Sequence, residues 1–163
     1  MDLGKIEKGF YGSLIVEKSF ILNGFNIFKP SMENGKVDMI VEKENIYLKL
    51  QIKTVQIDRD KKIIPVRKLS HNKTEHKTEY YSTDIIDYFI GVDIDTEDVY
   101  IIPSTISSTY KSSISINAVE SFKNNFNLME LYDRNIINGE DNIGELLTGN
   151  ADDNTEGIEQ SSP

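Results

Sequence analysis

Tyr47-Leu48-Lys49-Leu50-Gln51-Ile52-Lys53-Thr54 alternates without a break. Leu48, Leu50 and Ile52 fall on one side of an extended chain and Lys49, Gln51 and Lys53 on the other, because successive side chains of a strand point to opposite faces. One face belongs to a core, and the other carries chemistry or meets solvent. Residues 37–42 are similarly rich in β-branched and aliphatic side chains, and Lys43-Glu44-Asn45 between the two segments is a hairpin signal. Residues 37–42 and 47–57 are therefore expected to form two antiparallel strands.

Further out the period changes. In residues 5–23, Ile6, Phe10, Leu14 and Ile21 recur at offsets of four, four and seven, one stripe of an amphipathic helix. Asn23-Gly24 supplies its stop, since glycine accepts the left-handed conformation there. Residues 25–28 read as a short extended segment, ended by Pro30 and a polar loop through Gly35. Downstream, residues 63–69 read as a strand, 71–78 as a basic loop and Ser82-Thr83-Asp84 as a cap or turn. Residues 88–94 and 99–102 form a second hairpin across Asp95-Thr96-Glu97, closed by Pro103. A weaker strand at 113–116 precedes a short helix at 118–124. With no internal repeat and no dividing linker, this order gives one α/β domain, a mixed β-sheet flanked by helices.

The chain of 163 residues carries 18 basic and 27 acidic side chains, a formal net charge of −9, with no Cys and no Trp. Its length suits one domain with a real core. The missing cysteines exclude disulfides, thiol nucleophiles and iron–sulfur sites. No apolar run approaches the ~20 residues needed to cross a bilayer. Residues 1–10 alternate charged and apolar side chains, unlike a signal peptide, so a cytoplasmic protein is expected. The charge is unevenly divided. Residues 139–163 hold seven acids and no Lys or Arg, which reads as an acidic disordered tail, and residues 1–138 keep 18 bases against 20 acids. Within that domain, residues 49–77 hold nine bases and three acids. Beside Tyr80 and Tyr81, this local excess has the make-up of a phosphate-contacting surface, and equally of a hairpin whose lysines keep it solvated.

Asp38 and Gln51-Ile52-Lys53 form the constellation best suited to chemistry. Hydrolysing a phosphodiester requires neutralising charge that develops on phosphorus and presenting a deprotonated water in line with the leaving oxygen; a divalent metal does much of both. Magnesium takes oxygen ligands and few of them from protein. Asp38 offers a carboxylate, Gln51 a side-chain carbonyl and Ile52 a main-chain carbonyl. Lys53 projects from the same face as Gln51 and can orient the attacking water or stabilise the transition-state anion.

The order of features resembles the PD-(D/E)XK nuclease superfamily: Lys8-Gly9-x-x-Gly12 at the start of a helix, Gly24-Phe25-x-Ile27-x-x-Pro30, Val37-Asp38-Met39-Ile40, then Leu50-Gln51-Ile52-Lys53-Thr54. More narrowly it is similar to the branch of bacterial group I intron homing endonucleases, in which Gln replaces the usual acid of the (D/E)XK element. The segments Tyr81-Ser82-Thr83-Asp84-Ile85-Ile86-Asp87-Tyr88-Phe89 and Val99-Tyr100-Ile101-Ile102-Pro103 extend the likeness to most of residues 8–106. The resemblance implies a restriction-endonuclease-like fold and a Mg2+-dependent DNA endonuclease, Mn2+ being a possible substitute, with Asp38, Gln51 and Lys53 catalytic. It also implies a homo-oligomer, dimer or tetramer, acting on double-stranded DNA, since cutting both strands calls for two sites. Arg59, Lys61, Lys62, Arg67, Lys68, Lys73 and Lys77 become candidate DNA contacts, mostly to phosphates. The sequence departs from the pattern at Ser13, where related nucleases often carry Glu. Glu17, one turn on, is the candidate replacement metal ligand beside Asp38, Gln51 and Ile52, and Glu33 is another acid within the preceding loop. A catalytically weakened DNA-binding or structural protein on the same scaffold is the competing reading.

The remaining polar residues carry weaker signals. His71 and His76 with Glu75 and Glu79 match no helical metal motif. Ser13, Ser70 and Ser82 lack a nucleophile elbow. Gly9 and Gly12 have no following Gly-Lys-Ser/Thr and are expected to allow close helix packing. Tyr80, Tyr81 and Tyr88 suit either base stacking or core, and Asp84 and Asp87 suit turn positions.

Overall fold

The computed structural model of this chain describes residues 4–31, 35–72, 75–80, 83–127 and 129, with backbone alone for 68–72 and 75–80. Residues 1–129 form one compact unit; residues 130–163, which include the expected acidic tail, lie outside the described residues. Helix α1 (Lys5–Leu22) starts where the Glu7 carboxylate accepts the Gly4 N–H at 2.7 Å. It stops where the Asn23 and Gly24 N–H groups donate to Phe20 and Ile21 carbonyls, Gly24 taking φ +82°.

The strands that follow are β1 (Asn26–Phe28), β2 (Met39–Lys43), β3 (Ile46–Thr54), β4 (Gln56–Asp58), β5 (Lys61–Pro65), β6 (Arg67–Asn72), β7 (Glu75–Tyr80), β8 (Tyr88–Asp93), β9 (Asp98–Pro103) and β10 (Ser113–Ser115). A one-turn helix, α2 (Ser104–Ser107), follows β9, and a 3-10 helix spans Ile116–Phe122. Five strands make a mixed sheet in the order β1-β2-β3-β8-β9, antiparallel except that β3 and β8 run parallel. Both expected hairpins are there. Glu44 and Asn45 both take positive φ between β2 and β3, as do Arg59 and Asp60 between β4 and β5, the backbone that two-residue hairpin turns demand.

Several boundaries differ from the sequence reading for identifiable reasons. The strand expected through Ile57 ends at Thr54, because the Val55 N–H donates to Val92 and β4 then pairs with β5 in a second sheet, β10-β5-β4. The strand expected at 63–69 breaks at Val66, whose N–H donates to the Ser112 carbonyl at 3.0 Å. The segment expected as a basic loop at 71–78 belongs instead to a β6–β7 hairpin, in which backbone pairing overrides a polar composition. The short helix expected at 118–124 is the 3-10 turn, displaced toward Ile116.

The five-stranded sheet is covered on both faces. Toward α1 it presents Leu48, Leu50, Ile52, Ile90 and Val92, all buried, and Gly12 lets the helix settle: a Cβ there would come within 2.7 Å of Thr54 Cγ2. On the opposite face Ile64 of β5 sits over Gly91, within a cluster of Val66, Phe89, Tyr100, Ile102 and Ile114. The helix stripe inferred from periodicity is the wrong face: Ile6, Phe10, Leu14 and Ile21 are exposed, while Gly12, Ile15, Val16 and Phe20 are buried. The helix is apolar on two sides, and close approach at Gly12 decides which side docks.

Candidate active site

Register brings Asp38, Gln51 and Ile52 together. Asp38, immediately before β2, donates its N–H to the Leu50 carbonyl at 2.8 Å, which holds its side chain against the middle of β3. Its Oδ2 accepts the Ile52 N–H at 2.8 Å and a hydrogen bond from Gln51 Nε2. The same Gln51 nitrogen lies 3.3 Å from the Ile52 carbonyl oxygen, to which it donates. One atom therefore touches both the carboxylate and the main-chain carbonyl expected to bind a cation. Gln51 is buried, and its Oε1 has no hydrogen-bond partner among the described residues.

An orphaned buried carbonyl oxygen is costly, and it marks where a partner belongs. Rotating the Gln51 amide would exchange nitrogen for oxygen between Asp38 and Ile52, giving three oxygens of the kind a hard divalent cation takes. Lys53, half-buried, shares the Gln51 face and is the cross-strand neighbour of Gly91. Lys49 precedes Gln51 on that face, with its Nζ donating to the Asp84 carbonyl at 3.3 Å. Asp87 clamps the start of β8 to β3: its carboxylate accepts the Lys49 N–H and its own N–H donates to the Lys49 carbonyl.

The acid expected to assist from α1 has an ion-pair partner of its own. Glu17 is ion-paired with Lys29 at 2.6 Å, and the Ser13 hydroxyl donates back to the Gly9 carbonyl. Glu33 lies outside the described residues. Among the described residues no group of three or more His, Cys, Asp or Glu gathers to hold a metal.

A profile of the PD-(D/E)XK endonuclease family matches residues 7–133, which includes every residue of this constellation. The chain belongs to the PD-(D/E)XK endonucleases. No curated protein matches it. Among solved structures it is similar to a bacterial homing endonuclease, I-Ssp6803I, at 19% identity over 69% of this chain and 78% of that one, with a TM-score of 0.64. The two share a fold. As a PD-(D/E)XK endonuclease the chain is a nuclease by family.

The basic candidates of this endonuclease fall into different environments. Arg59 and Lys61 are exposed at the β4–β5 turn, and Arg67 is exposed at the start of β6. Lys62 instead donates to buried Asp93 at 2.5 Å, which raises its pKa above the ordinary lysine value through that hydrogen bond. Asp93 carried no signal in the sequence beyond its place near a hairpin turn. The side chains of Lys68 and Lys77, and Lys73 altogether, lie outside the described residues, as do the His71 and His76 side chains. Tyr88 is core, so stacking on bases is not its role. Beside Lys62 a cleft of about 570 Å³ opens between α1 and the end of β3, lined by Lys5, Lys8, Thr54, Gln56 and Asp95.

Proposed function

We propose that the chain is a Mg2+-dependent DNA endonuclease of homing or restriction-like role, hydrolysing phosphodiester bonds of double-stranded DNA as a cytoplasmic homo-oligomer. The observation that carries this reading is the meeting of Asp38 Oδ2 and the Ile52 carbonyl at the Gln51 amide, with Gln51 Oε1 buried and unbonded. Those groups fit a hard cation by donor type, so Asp38, Gln51 and Ile52 would hold it. When bound, Mg2+ or Mn2+ supplies Lewis-acid stabilisation of phosphoryl charge and lowers the pKa of water. Lys53, on the same strand face, orients the attacking water and offsets negative charge on the phosphate. Arg59, Lys61 and Arg67 extend a cationic edge for DNA phosphates.

The second reading, a weakened nuclease that binds DNA without cutting it, is favoured by the engagement of Glu17 with Lys29 and of Ser13 with Gly9. With one carboxylate at the centre, metal affinity is low, and millimolar metal is expected to be needed. The test is cleavage of supercoiled and linear DNA with Mg2+ or Mn2+ by wild type, Asp38→Ala and Lys53→Ala. Metal-dependent cutting abolished by both substitutions supports the endonuclease. Salt-sensitive binding with no cutting by any of the three supports the binding protein.

A further inference from the structure

The sheet face that carries Asp38, Gln51 and Lys53 is covered at one end and open at the other. Ile64 of β5 lies over Gly91, the neighbour of Lys53, and Phe89 beside Gln51 is buried in the same cluster. Toward the β2–β3 turn, the cross-strand neighbours Phe28, Ile40 and Lys49 continue this face, because residues opposite one another in antiparallel strands share a side. Tyr47 precedes Lys49 by two residues and shares it too. Phe28 is 48% exposed and Tyr47 60%, whereas Met39, Val41, Leu48 and Leu50, on the α1 side of the same strands, are buried.

These two rings act as one surface. Their centroids stand 6.1 Å apart at 42°. The strands that carry them, with β2 between, are separated by about 9.5 Å, so the rings lean toward each other over β2. Lys49 lies between this floor and Gln51, about 6.6 Å along β3 from Gln51 and from Tyr47. Its ammonium has three N–H donors, and the Asp84 carbonyl, at 3.3 Å, takes one. Glu42, the cross-strand neighbour of Tyr47, marks the outer end of the floor, its carboxylate held by Asn26 Nδ2 and the Asn45 N–H. Positive charge therefore faces the Gln51 end and negative charge the turn.

We infer that Phe28, Tyr47 and Lys49 form a platform for unpaired nucleotides of the DNA strand that is cut, with bases on the rings and a phosphate at Lys49. An aromatic ring stacks on any base whose face is uncovered, so the ligand is single-stranded over these positions. Continuity names the occupant: the platform shares a strand and a face with Asp38 and Gln51, and the polymer that continues from a phosphate at that centre in an endonuclease is nucleic acid. Lys49 complements its charge, while Glu42 keeps phosphates to the Lys49 side. The inference rests on the nuclease reading for the phosphate at Asp38 and Gln51.

Fluorescence anisotropy of the full chain with a labelled oligonucleotide of mixed sequence, single-stranded or annealed to its complement, tests the platform in chelator, where nothing is cut. Wild type is expected to bind both forms. Tyr47→Leu and Phe28→Leu should each weaken the single strand by about 5- to 150-fold while duplex affinity holds, and Tyr47→Phe, which keeps a ring, should bind like wild type. Lys49→Met should weaken both forms and reduce the salt slope for the single strand by about 0.7. Both rings are exposed, so urea midpoints of the leucine variants should stay near wild type. Single-strand affinity that is unchanged in both leucine variants, or that falls no more than duplex affinity, overturns the platform and leaves the nuclease reading standing. Wild type that binds duplex alone does the same, and wild type that binds neither form overturns the DNA reading with it. A smaller assembly mass for Tyr47→Leu at unchanged single-strand affinity makes the ring pair a subunit contact and overturns the inference as well.

Discussion

Gln51 donates its amide hydrogen to Asp38 while its own carbonyl oxygen, sealed inside the domain, has no hydrogen-bond partner among the described residues. A carboxylate and a neutral amide can share that space without repulsion; two carboxylates cannot. Gln51→Glu, which restores the acid usual in the (D/E)XK element, therefore sets two negative charges in contact when no metal is bound. The new carboxyl should have a raised pKa in the folded state. A group raised on folding stabilises below its unfolded value, near 4.3 for Glu, and loses that contribution as pH climbs through the folded value. The variant should match wild type near pH 4 and be weaker by about 1–3 kcal/mol near pH 8 in chelator, with the loss recovered by millimolar Mg2+ through mass action. Urea titrations at the two pH values, with and without metal, check this. A deficit independent of pH would mean that packing, not charge, sets the identity of residue 51.

Asp38→Ala removes the acceptor for both the Ile52 N–H and the Gln51 amide. Leaving such donors unmatched costs roughly 1–3 kcal/mol. Asp38→Asn keeps one acceptor oxygen and should lose less stability while losing as much cleavage. Comparing urea midpoints with plasmid nicking for the two variants separates the structural from the catalytic share of this carboxylate.

The β2–β3 hairpin, and the nearness of Asp38 to Gln51, were legible in the sequence because both depend on local alternation. Leu48, Leu50 and Ile52 are buried on one face, with Gln51 and Lys53 on the other, as the period of two requires. Other features depend on partners distant in the chain. Periodicity found a stripe on α1 but chose Ile6 and Phe10, because a helix apolar on two faces does not reveal which one meets Thr54 and Val92. The β6–β7 pairing is invisible in a polar composition, and the parallel pairing of β3 with β8 joins segments more than thirty residues apart. Charge counting likewise could not show the pairing of Lys62 with Asp93, since nothing local connects the two.

Asp93 is buried and Lys62, about one-third exposed, holds it at 2.5 Å. Removing one partner of a buried pair leaves an uncompensated charge, which costs about 3–5 kcal/mol when both groups are fully buried. With water reaching Lys62, about 2 kcal/mol is expected for Lys62→Met. Because the lysine pKa is raised on folding, its contribution is constant from pH 6 to 9 and is lost only as pH rises past the ordinary lysine value. Arg59→Ala and Lys61→Ala should show the converse pattern, unchanged stability with a shallower salt dependence of DNA binding. Loss of DNA affinity without loss of stability in Lys62→Met would make Lys62 a phosphate contact rather than a structural partner of Asp93.

Glu97, at the β8–β9 turn, receives hydrogen bonds from Lys18 and from the Tyr11 hydroxyl, tying α1 to the far end of the sheet. Lys18 first, then Tyr11, lowers the Glu97 pKa below the ordinary carboxylate value. A carboxylate lowered on folding stabilises above its unfolded pKa and loses that contribution as pH falls through the folded one. The gap in urea midpoint between wild type and Glu97→Gln should be small, as for exposed pairs, visible at neutral pH and closing as acid titrates the lowered carboxylate. High salt should shrink it at neutral pH. A gap that survives both acid and salt would make the contact a matter of shape.

Gly91 is the β8 neighbour of Lys53, and Ile64 of the second sheet lies directly over it. A Cβ at this position would stand 2.9 Å from Ile64 Cγ1, closer than packed carbons tolerate. Gly91→Ala should therefore cost about 1–3 kcal/mol by pushing β5 away from the sheet. Shortening the obstructing side chain tests the cause: Ile64→Val should lose stability alone but recover part of it when combined with Gly91→Ala, a coupling read by a double-mutant cycle. The same displacement moves the cover beside Lys53, so Gly91→Ala should also slow cleavage at saturating DNA, with the double variant faster than the single. Additive stabilities would break the link between β5 and the Lys53 face of β3.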